Sequence, residues 1–102
     1  MKTRIRALHF DADKKLEESI TERAENLYNV DHRILNINVV LRIEKNDKNK
    51  NKKVEMELQL PDRRLYAEDQ SESFEEAANL AVDELRKQLI KYKEKLSETH
   101  LD

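Results

Sequence analysis

Apolar and polar residues alternate in four short stretches of the chain, as expected of strands with one covered face. The first stretch spans residues 3–9, and the clearest spans residues 34–44, where every odd position is apolar. The third spans residues 54–60, and Pro61 ends it because proline cannot donate a hydrogen bond to a neighbouring strand. A short fourth strand is predicted around Leu65 and Ala67.

Two further stretches have apolar residues three and four positions apart, which predicts helices. The first covers residues 14–29, and Asp11 or Asp13 can cap its N-terminus. The second covers residues 73–96 and begins with a capping box, with Ser73 at the N-cap and Glu76 at the third helical position. The apolar stripe of this final helix consists of Phe74, Ala77, Ala81, Leu85, Leu89, Tyr92 and Leu96.

The predicted order β-α-β-β-β-α favours an α+β fold of two layers. Short connections make the last three strands an antiparallel meander, and two amphipathic helices can cover only one face of a four-stranded sheet. We therefore expect a single domain over residues 1–102 with the other sheet face open to solvent. That open face is predicted to carry Asn36, Asn38, Arg42, Glu44, Glu55, Glu57, Gln59, Arg64, Tyr66 and Glu68.

Composition limits the function classes. Charged residues make up 41% of the chain, but the formal net charge is only −2, so binding to nucleic acid would have to depend on local patches. There is no cysteine for a disulfide or thiolate site and no glycine for a glycine-rich phosphate loop. Because no apolar run approaches the roughly 18 residues of a membrane span, we expect a cytoplasmic protein without membrane contact.

Candidate catalytic and metal-binding residues are few. His9, Asp11 and Asp13 could form a metal site with His32 or His100, but helix capping explains the aspartates better. Carboxylates on an open sheet face lack the cleft that shifts pKa values for acid–base catalysis. We therefore expect no enzyme activity, no cofactor and no small-molecule substrate.

The final helix is polarised in charge. Apart from Glu94, its acidic residues precede Arg86, and all of its basic residues begin there. Such an arrangement complements the helix dipole by about 0.3–1 kcal/mol per charge, and it also offers a surface for phosphate. The loop at residues 45–53, with five lysines, is a second candidate for phosphate contact or simply a solvated hairpin tip.

Several segments resemble the ribosome hibernation promoting factor and ribosome-associated inhibitor family. They are HRI at residues 32–34, VVLRIEK at 39–45, KVE at 53–55, LP at 60–61 and ANLAVDELRKQLIKYKEKL at 78–96. The last is the most specific, with Leu85, two basic residues, Gln88 and Leu89, then alternating lysines. The resemblance implies two helices on a four-stranded sheet, and a short-type member without the C-terminal domain that pairs ribosomes.

The resemblance also implies a function and its residues. The protein would bind rRNA in the decoding channel of the small ribosomal subunit and block mRNA and tRNA during starvation or stationary phase, as a monomer. Departures from the family pattern occur at His32, usually an aspartate, and at Asn26, often a lysine. The implied rRNA-binding residues are Arg23, Arg33, Arg42, Lys45, Lys87, Lys91, Lys93 and Lys95. This sequence adds Arg86 to the basic positions of the family.

Two alternatives remain open at the level of sequence. The protein could be an interaction module that binds another protein through its open sheet face or a sheet edge. It could also be a general binder of double-stranded RNA, recognising shape and phosphate rather than sequence.

Overall fold

The computed structural model describes residues 2–45 and 49–99, and side chains as far as residue 95. The predicted order of elements and the α+β fold class are confirmed. The elements are β1 (Lys2–Leu8), α1 (Lys14–Glu25), a 3-10 turn (Asn26–Asn29), β2 (Asn36–Ile43), β3 (Lys52–Gln59), β4 (Arg64–Ser71) and α2 (Phe74–Thr99).

The four strands form one mixed sheet in the order β1-β2-β3-β4. The strand β1 pairs with β2 in parallel because α1 crosses over between them, whereas β2, β3 and β4 are antiparallel neighbours. Because alternate residues of a strand point to the same side, the register aligns side chains in rows across the open face. The Tyr66 row contains Arg4, Asn38, Glu57 and Tyr66, and the adjacent Glu68 row contains Arg6, Val40, Glu55 and Glu68.

Both helices pack on the other face of the sheet, where the hydrophobic core lies. α2 packs on β3 and β4, and α1 packs on β1 and on the side of α2. Removing these side chains from water is the main favourable contribution to folding. The largest fully buried side chains are Ile20, Leu27, Ile34, Ile37, Leu41, Met56, Leu58, Leu60, Leu85 and Leu89.

The first helix is shorter than predicted. Its α-helical part ends at Glu25, and the chain continues as the 3-10 turn, which buries Leu27 and Tyr28. The Tyr28 hydroxyl donates a 2.9 Å hydrogen bond to the carbonyl of Lys2. The tighter turn therefore buries two side chains, and the Tyr28 hydroxyl ties it to the edge strand β1.

Side chains cap both helices. Asp13, rather than Asp11, accepts a 2.8 Å hydrogen bond from the backbone N–H of Leu16. At α2, Ser73 Oγ accepts from the backbone N–H of Glu76 at 3.1 Å. The predicted capping box is only half correct, because the Glu76 carboxylate accepts a 2.8 Å hydrogen bond from the Ser71 hydroxyl instead.

Candidate nucleic-acid interface

The basic residues of α2 fall on two flanks of the helix rather than one. Asn79, Arg86 and Lys93 are seven residues apart, close to two turns, so they share a flank. This is the flank that faces α1, since Asn79 accepts a hydrogen bond from Arg23 of α1. Lys87 and Lys91 are exposed on the other flank and have no partner among the described residues.

The flank that faces α1 is held by hydrogen bonds. Arg23 Nε donates to Asn79 Oδ1 at 2.9 Å, and Arg23 Nη1 donates to the Ser19 carbonyl at 3.1 Å and contacts the Ser19 hydroxyl. Arg86 pairs with Asp83 at 3.1 Å. Both guanidiniums are therefore oriented before any ligand arrives.

The end of this flank carries a cationic group that we call the Tyr92 cluster: Arg33 and Arg63 over the Tyr92 ring, together with Lys93, the next residue of α2. The guanidinium carbons of Arg33 and Arg63 lie 5.2 Å and 4.6 Å from the ring centre. Lys93 Nζ donates a 2.9 Å hydrogen bond to the carbonyl of Val30. The cluster thus joins the segment after α1, the turn after β3 and the basic half of α2.

A buried carboxylate orients Arg33 within the cluster. Arg33 Nη2 and Nε donate to the two oxygens of Asp31 at 2.7 and 3.1 Å, and the Arg33 backbone N–H adds a 2.9 Å bond. These bonds lower the pKa of Asp31 and raise the pKa of Arg33. The side chain of Arg33 is 45% exposed and that of Asp31 only 3%, so the cation rather than the anion meets solvent.

Asp62 fixes the tyrosine itself. The Tyr92 hydroxyl donates a hydrogen bond to the Asp62 carboxylate, which raises the pKa of Tyr92 and keeps the phenol neutral. Tyr92 is 6% exposed beneath the two guanidiniums. Its ring therefore serves as a platform that positions Arg33 and Arg63.

Arg42 and Lys45 lie at the opposite end of the sheet from the Tyr92 cluster. Arg42 is opposite Lys53 in the register, whereas the row nearest the cluster contains Asn36. Arg42 is six residues further along β2 than Asn36, a distance of about 20 Å. The structure thus divides the predicted rRNA-binding residues between two regions.

Ion pairs already engage part of this second region. Arg42 Nη2 lies 3.3 Å from the Glu55 carboxylate, and Lys53 Nζ lies 3.7 and 3.4 Å from the carboxylates of Glu44 and Glu68. Lys45 is exposed, and the rest of the predicted lysine-rich tip at residues 46–48 lies outside the described residues. Lys53, one of the lysines of the predicted loop, is thus held on the sheet by ion pairs.

Three arginines were missing from the predicted site. Arg63 joins the Tyr92 cluster through a tertiary contact that no local pattern reveals. Arg4 and Arg6 are exposed on the open face of β1 and have no partner among the described residues. Their alternation with the half-buried Ile5 and Ala7 was the signal that could have found them.

Other kinds of site find little support. Within residues 2–45 and 49–99, no three histidine, aspartate or glutamate side chains are grouped as metal ligands would be. The proposed contribution of His100 lies outside the described residues. No described helix is both long and apolar enough to cross a membrane.

Comparison with known proteins identifies the family. Residues 3–97 match the model of the family described as sigma 54 modulation protein / S30EA ribosomal protein, and the chain belongs to that family. Membership indicates a ribosome-associated hibernation or interface protein and confirms the resemblance found in the sequence. No curated protein matches the sequence.

Solved structures share the fold. A ribosomal subunit interface protein from Coxiella burnetii superposes with a TM-score of 0.79 at 22% identity, covering 91% of this chain and 98% of that one. The N-terminal domain of Thermus thermophilus Protein Y superposes with a TM-score of 0.73 at 18% identity, covering 87% and 94%. These similarities confirm two helices on a four-stranded mixed sheet.

Proposed function

We propose that the protein is a cytoplasmic ribosome hibernation factor that binds rRNA in the decoding channel of the small ribosomal subunit. It occupies the path of mRNA and tRNA and silences translation sterically in starvation or stationary phase. Its family membership supports association with the ribosome. The similar fold of the Coxiella burnetii protein, a ribosomal subunit interface protein, supports a position at the subunit interface.

The observation that carries this proposal is the Tyr92 cluster beside the exposed lysines of α2. Arg33 and Arg63 are held on one ring, and Lys87 and Lys91 are exposed on the same helical half. Preorganised guanidiniums lose little rotamer freedom when they bind phosphate oxygens. We therefore assign the main rRNA contact to the C-terminal half of α2 and the two segments that pack against it.

The electrostatics of α1 restrict how rRNA can approach. Its exposed surface carries Glu18, Glu22 and Glu25, and Arg23 is turned towards α2. Phosphates would be repelled by the acidic surface, so rRNA meets the α2 side of the helical layer. Arg86 and Lys93 would line this approach on the flank that faces α1, and Lys95 would lie with Lys91 on the other flank. Arg42 and Lys45 would make a separate contact at the other end of the sheet.

Recognition of rRNA would depend on shape and phosphate position rather than on base sequence. Phe10 and Phe74 stack on each other with ring centres 5.3 Å apart, and Tyr92 is covered by arginines. Tyr66 is therefore the main exposed aromatic among the described residues, and it lies on the opposite face. The helical face therefore offers few exposed aromatic rings on which unpaired rRNA bases could stack.

Cosedimentation with purified small subunits across a salt series tests this proposal. With about six phosphate contacts, the affinity should fall by roughly a thousandfold between 50 and 200 mM salt. A free RNA duplex serves as the competitor of the small subunit for the protein. Salt-sensitive binding that the duplex does not abolish supports a ribosomal site, whereas equal affinity for any duplex assigns the protein to general RNA binding.

A further inference from the structure

The strand β1 carries three cations on the open face of the sheet. Lys2, Arg4 and Arg6 are exposed there, and none of them has a partner in the described part of the chain. Alternate residues of a strand point to the same side and are about 7 Å apart, so the three side chains form a line of positive charge. Such a line is complementary to a chain of regularly spaced anions.

The other charges of this face largely cancel one another. Arg42 lies 3.3 Å from the Glu55 carboxylate, and Lys53 lies 3.4 Å from that of Glu68. Of the carboxylates in the Tyr66 row and the Glu68 row, Glu57 is left without a partner among the described residues. The unpaired charge of the open face is therefore mainly positive and lies on β1.

A shallow groove of about 610 Å³ crosses the face beside these cations. In its middle, the Glu57 carboxylate is unpaired, and Asn38 Nδ2 donates to Asn36 at 3.3 Å, which leaves the Asn38 oxygen available as an acceptor. The centre of the groove therefore offers hydrogen-bond acceptors to a ligand. The residues that line the groove include Arg4, Arg6, Asn38, Val40, Glu57 and Tyr66.

Tyr66 bounds the groove on the side away from β1. Its hydroxyl donates to Glu68 at 2.8 Å and lies 3.3 Å from Glu55 of β3, so the ring leans over β3 towards the centre of the groove. The residue is 49% exposed. A ring that is already held in place loses little rotamer freedom when a flat ligand stacks on it.

We propose that the open sheet face binds single-stranded RNA, with successive phosphates along Lys2, Arg4 and Arg6 and a base beside Tyr66. Sites for single strands combine a cationic track for the backbone with an aromatic ring for a base. The spacing of the three cations is close to that of successive phosphates in an extended strand. The amines of cytosine and adenine would donate to Glu57 and to the Asn38 oxygen.

The same features disfavour two other ligands. An acidic peptide could meet the cations of β1, but the unpaired carboxylate of Glu57 in the middle of the groove would repel it. An RNA duplex presents its phosphates but keeps its bases stacked inside the helix, out of reach of the Tyr66 ring. An unpaired strand therefore fits both halves of the groove.

This site is separate from the proposed ribosomal contact. The Tyr92 cluster and the exposed lysines of α2 belong to the helical layer, on the other side of the sheet from the Tyr66 row. Binding of single-stranded RNA to the open face therefore does not depend on the proposed ribosomal function, and each can fail without the other.

Fluorescence anisotropy with labelled hexacytidylate, across a salt series, tests the cationic track. Three phosphate contacts predict a slope of log affinity against log salt of about −2. Arg4→Gln with Arg6→Gln should weaken binding and reduce the slope by about 1.4. Lys14→Gln with Lys15→Gln removes the same charge from α1 and should have little effect. Equal loss in the two double variants would overturn the proposal.

Variants of Tyr66 test the position of the base. Tyr66→Leu should raise the dissociation constant for hexacytidylate by about tenfold, whereas Tyr66→Phe, which keeps the ring, should bind nearly as the native protein does. Hexauridylate should bind several-fold more weakly than hexacytidylate, because uracil has no amine for Glu57. Equal binding by both variants, or equal affinity for both oligonucleotides, would overturn this placement of the base.

Backbone amide shifts of the native protein locate the site without any substitution. Hexacytidylate should shift the NMR signals of β1 and of the residues around Tyr66. Shifts confined to α2 would overturn the open-face site and assign the binding to the helical layer. A hexaglutamate peptide that displaces the oligonucleotide at equal concentration would also overturn the proposal, in favour of an acidic protein partner.

Discussion

The guanidinium of Arg33 lies 5.2 Å from the centre of the Tyr92 ring, and this contact joins the segment after α1 to the basic half of α2. Asp31 holds Arg33 from the other side with two side-chain hydrogen bonds. The Tyr92 cluster therefore has a structural role besides its proposed role in binding rRNA. The two roles can be separated by choosing which partner to change.

Replacing Arg33 with glutamine should destabilise the fold. The change leaves the Asp31 side chain, 3% exposed, without its cationic partner, so we expect a loss of about 1–3 kcal/mol in the free energy of unfolding at pH 7. Urea denaturation measures this loss. Arg64→Gln is the matched control, since that side chain is exposed on β4. Equal stability of the two variants would contradict a structural role for Arg33.

The same pair predicts a dependence on acid. Because the pKa of Asp31 is lowered from its ordinary value of 3.8, its contribution to stability is full above that value and is lost as the pH falls towards the folded pKa. The gap between the native protein and Arg33→Gln should therefore narrow between pH 5 and about pH 2. A gap that is constant over this range would show that charge on Asp31 is not the cause.

The pH dependence of stability should be opposite for a second carboxylate, that of Asp69. Burial and the neighbouring Glu84 raise the pKa of Asp69 to about 6, and Asp69 Oδ2 is buried without a hydrogen bond among the described residues. Its folded form keeps a proton that the unfolded chain releases near 3.8, so its contribution is full below 3.8 and is lost as the pH rises through about 6.

Asp69→Asn should accordingly stabilise the protein by roughly 1–2 kcal/mol at pH 7.5 and have little effect at pH 3.5. Thermal unfolding at the two pH values is sufficient to measure this. Asp11→Asn changes an exposed carboxylate before α1 and is the control. Destabilisation by Asp69→Asn at pH 7.5 would mean that the charged form is favoured after all.

Lys87 and Lys91 should contribute to ribosome binding with little effect on stability. Both are exposed and have no partner in the described part of the chain. Replacing both with glutamine should lower the slope of log affinity against log salt by about 2 and change stability by less than about 1 kcal/mol. Lys14→Gln with Lys15→Gln removes the same charge from α1. If both double variants lose binding equally, a specific α2 contact is ruled out.

Lys93 should behave differently from Lys91 although both are exposed lysines of α2. Lys93 donates a hydrogen bond to the carbonyl of Val30, so Lys93→Gln should cost about 1 kcal/mol of stability. Lys91→Gln should cost little. Chemical denaturation of the two variants compares them directly, and equal midpoints would show that the bond to Val30 contributes nothing.

The fold was accessible from the sequence because its signals are local. Alternation in the middle of residues 34–44 correctly predicts the buried face at Ile37, Val39 and Leu41, whereas Leu35 and Ile43 near the ends of the stretch are exposed. The apolar stripe of α2 predicts its buried face, and the short connections predict the antiparallel strands. The end of α1 at Glu25 was not predicted, because the apolar spacing of Leu27 fits both an α-helix and the 3-10 turn. The partner of Glu76 was missed because the capping-box spacing does not show that the Ser71 hydroxyl reaches the Glu76 carboxylate.

The candidate site was only partly accessible. The basic half of α2 is visible in the sequence, but its division into two flanks depends on the helical period together with what packs on each side. Arg63 comes close to Arg33 through their shared contact with Tyr92, and no spacing along the chain indicates this. The separation of Arg42 from the cluster likewise follows from strand register.

Occupancy of the decoding channel is tested most directly by equilibrium binding of the labelled protein to small subunits that are either empty or already filled with mRNA and tRNA. We predict salt-sensitive binding to empty subunits, weakened by Lys87→Gln with Lys91→Gln, and loss of binding to filled subunits. Equal affinity for empty and filled subunits would contradict the account, because a protein that blocks the path of mRNA and tRNA cannot share it with them.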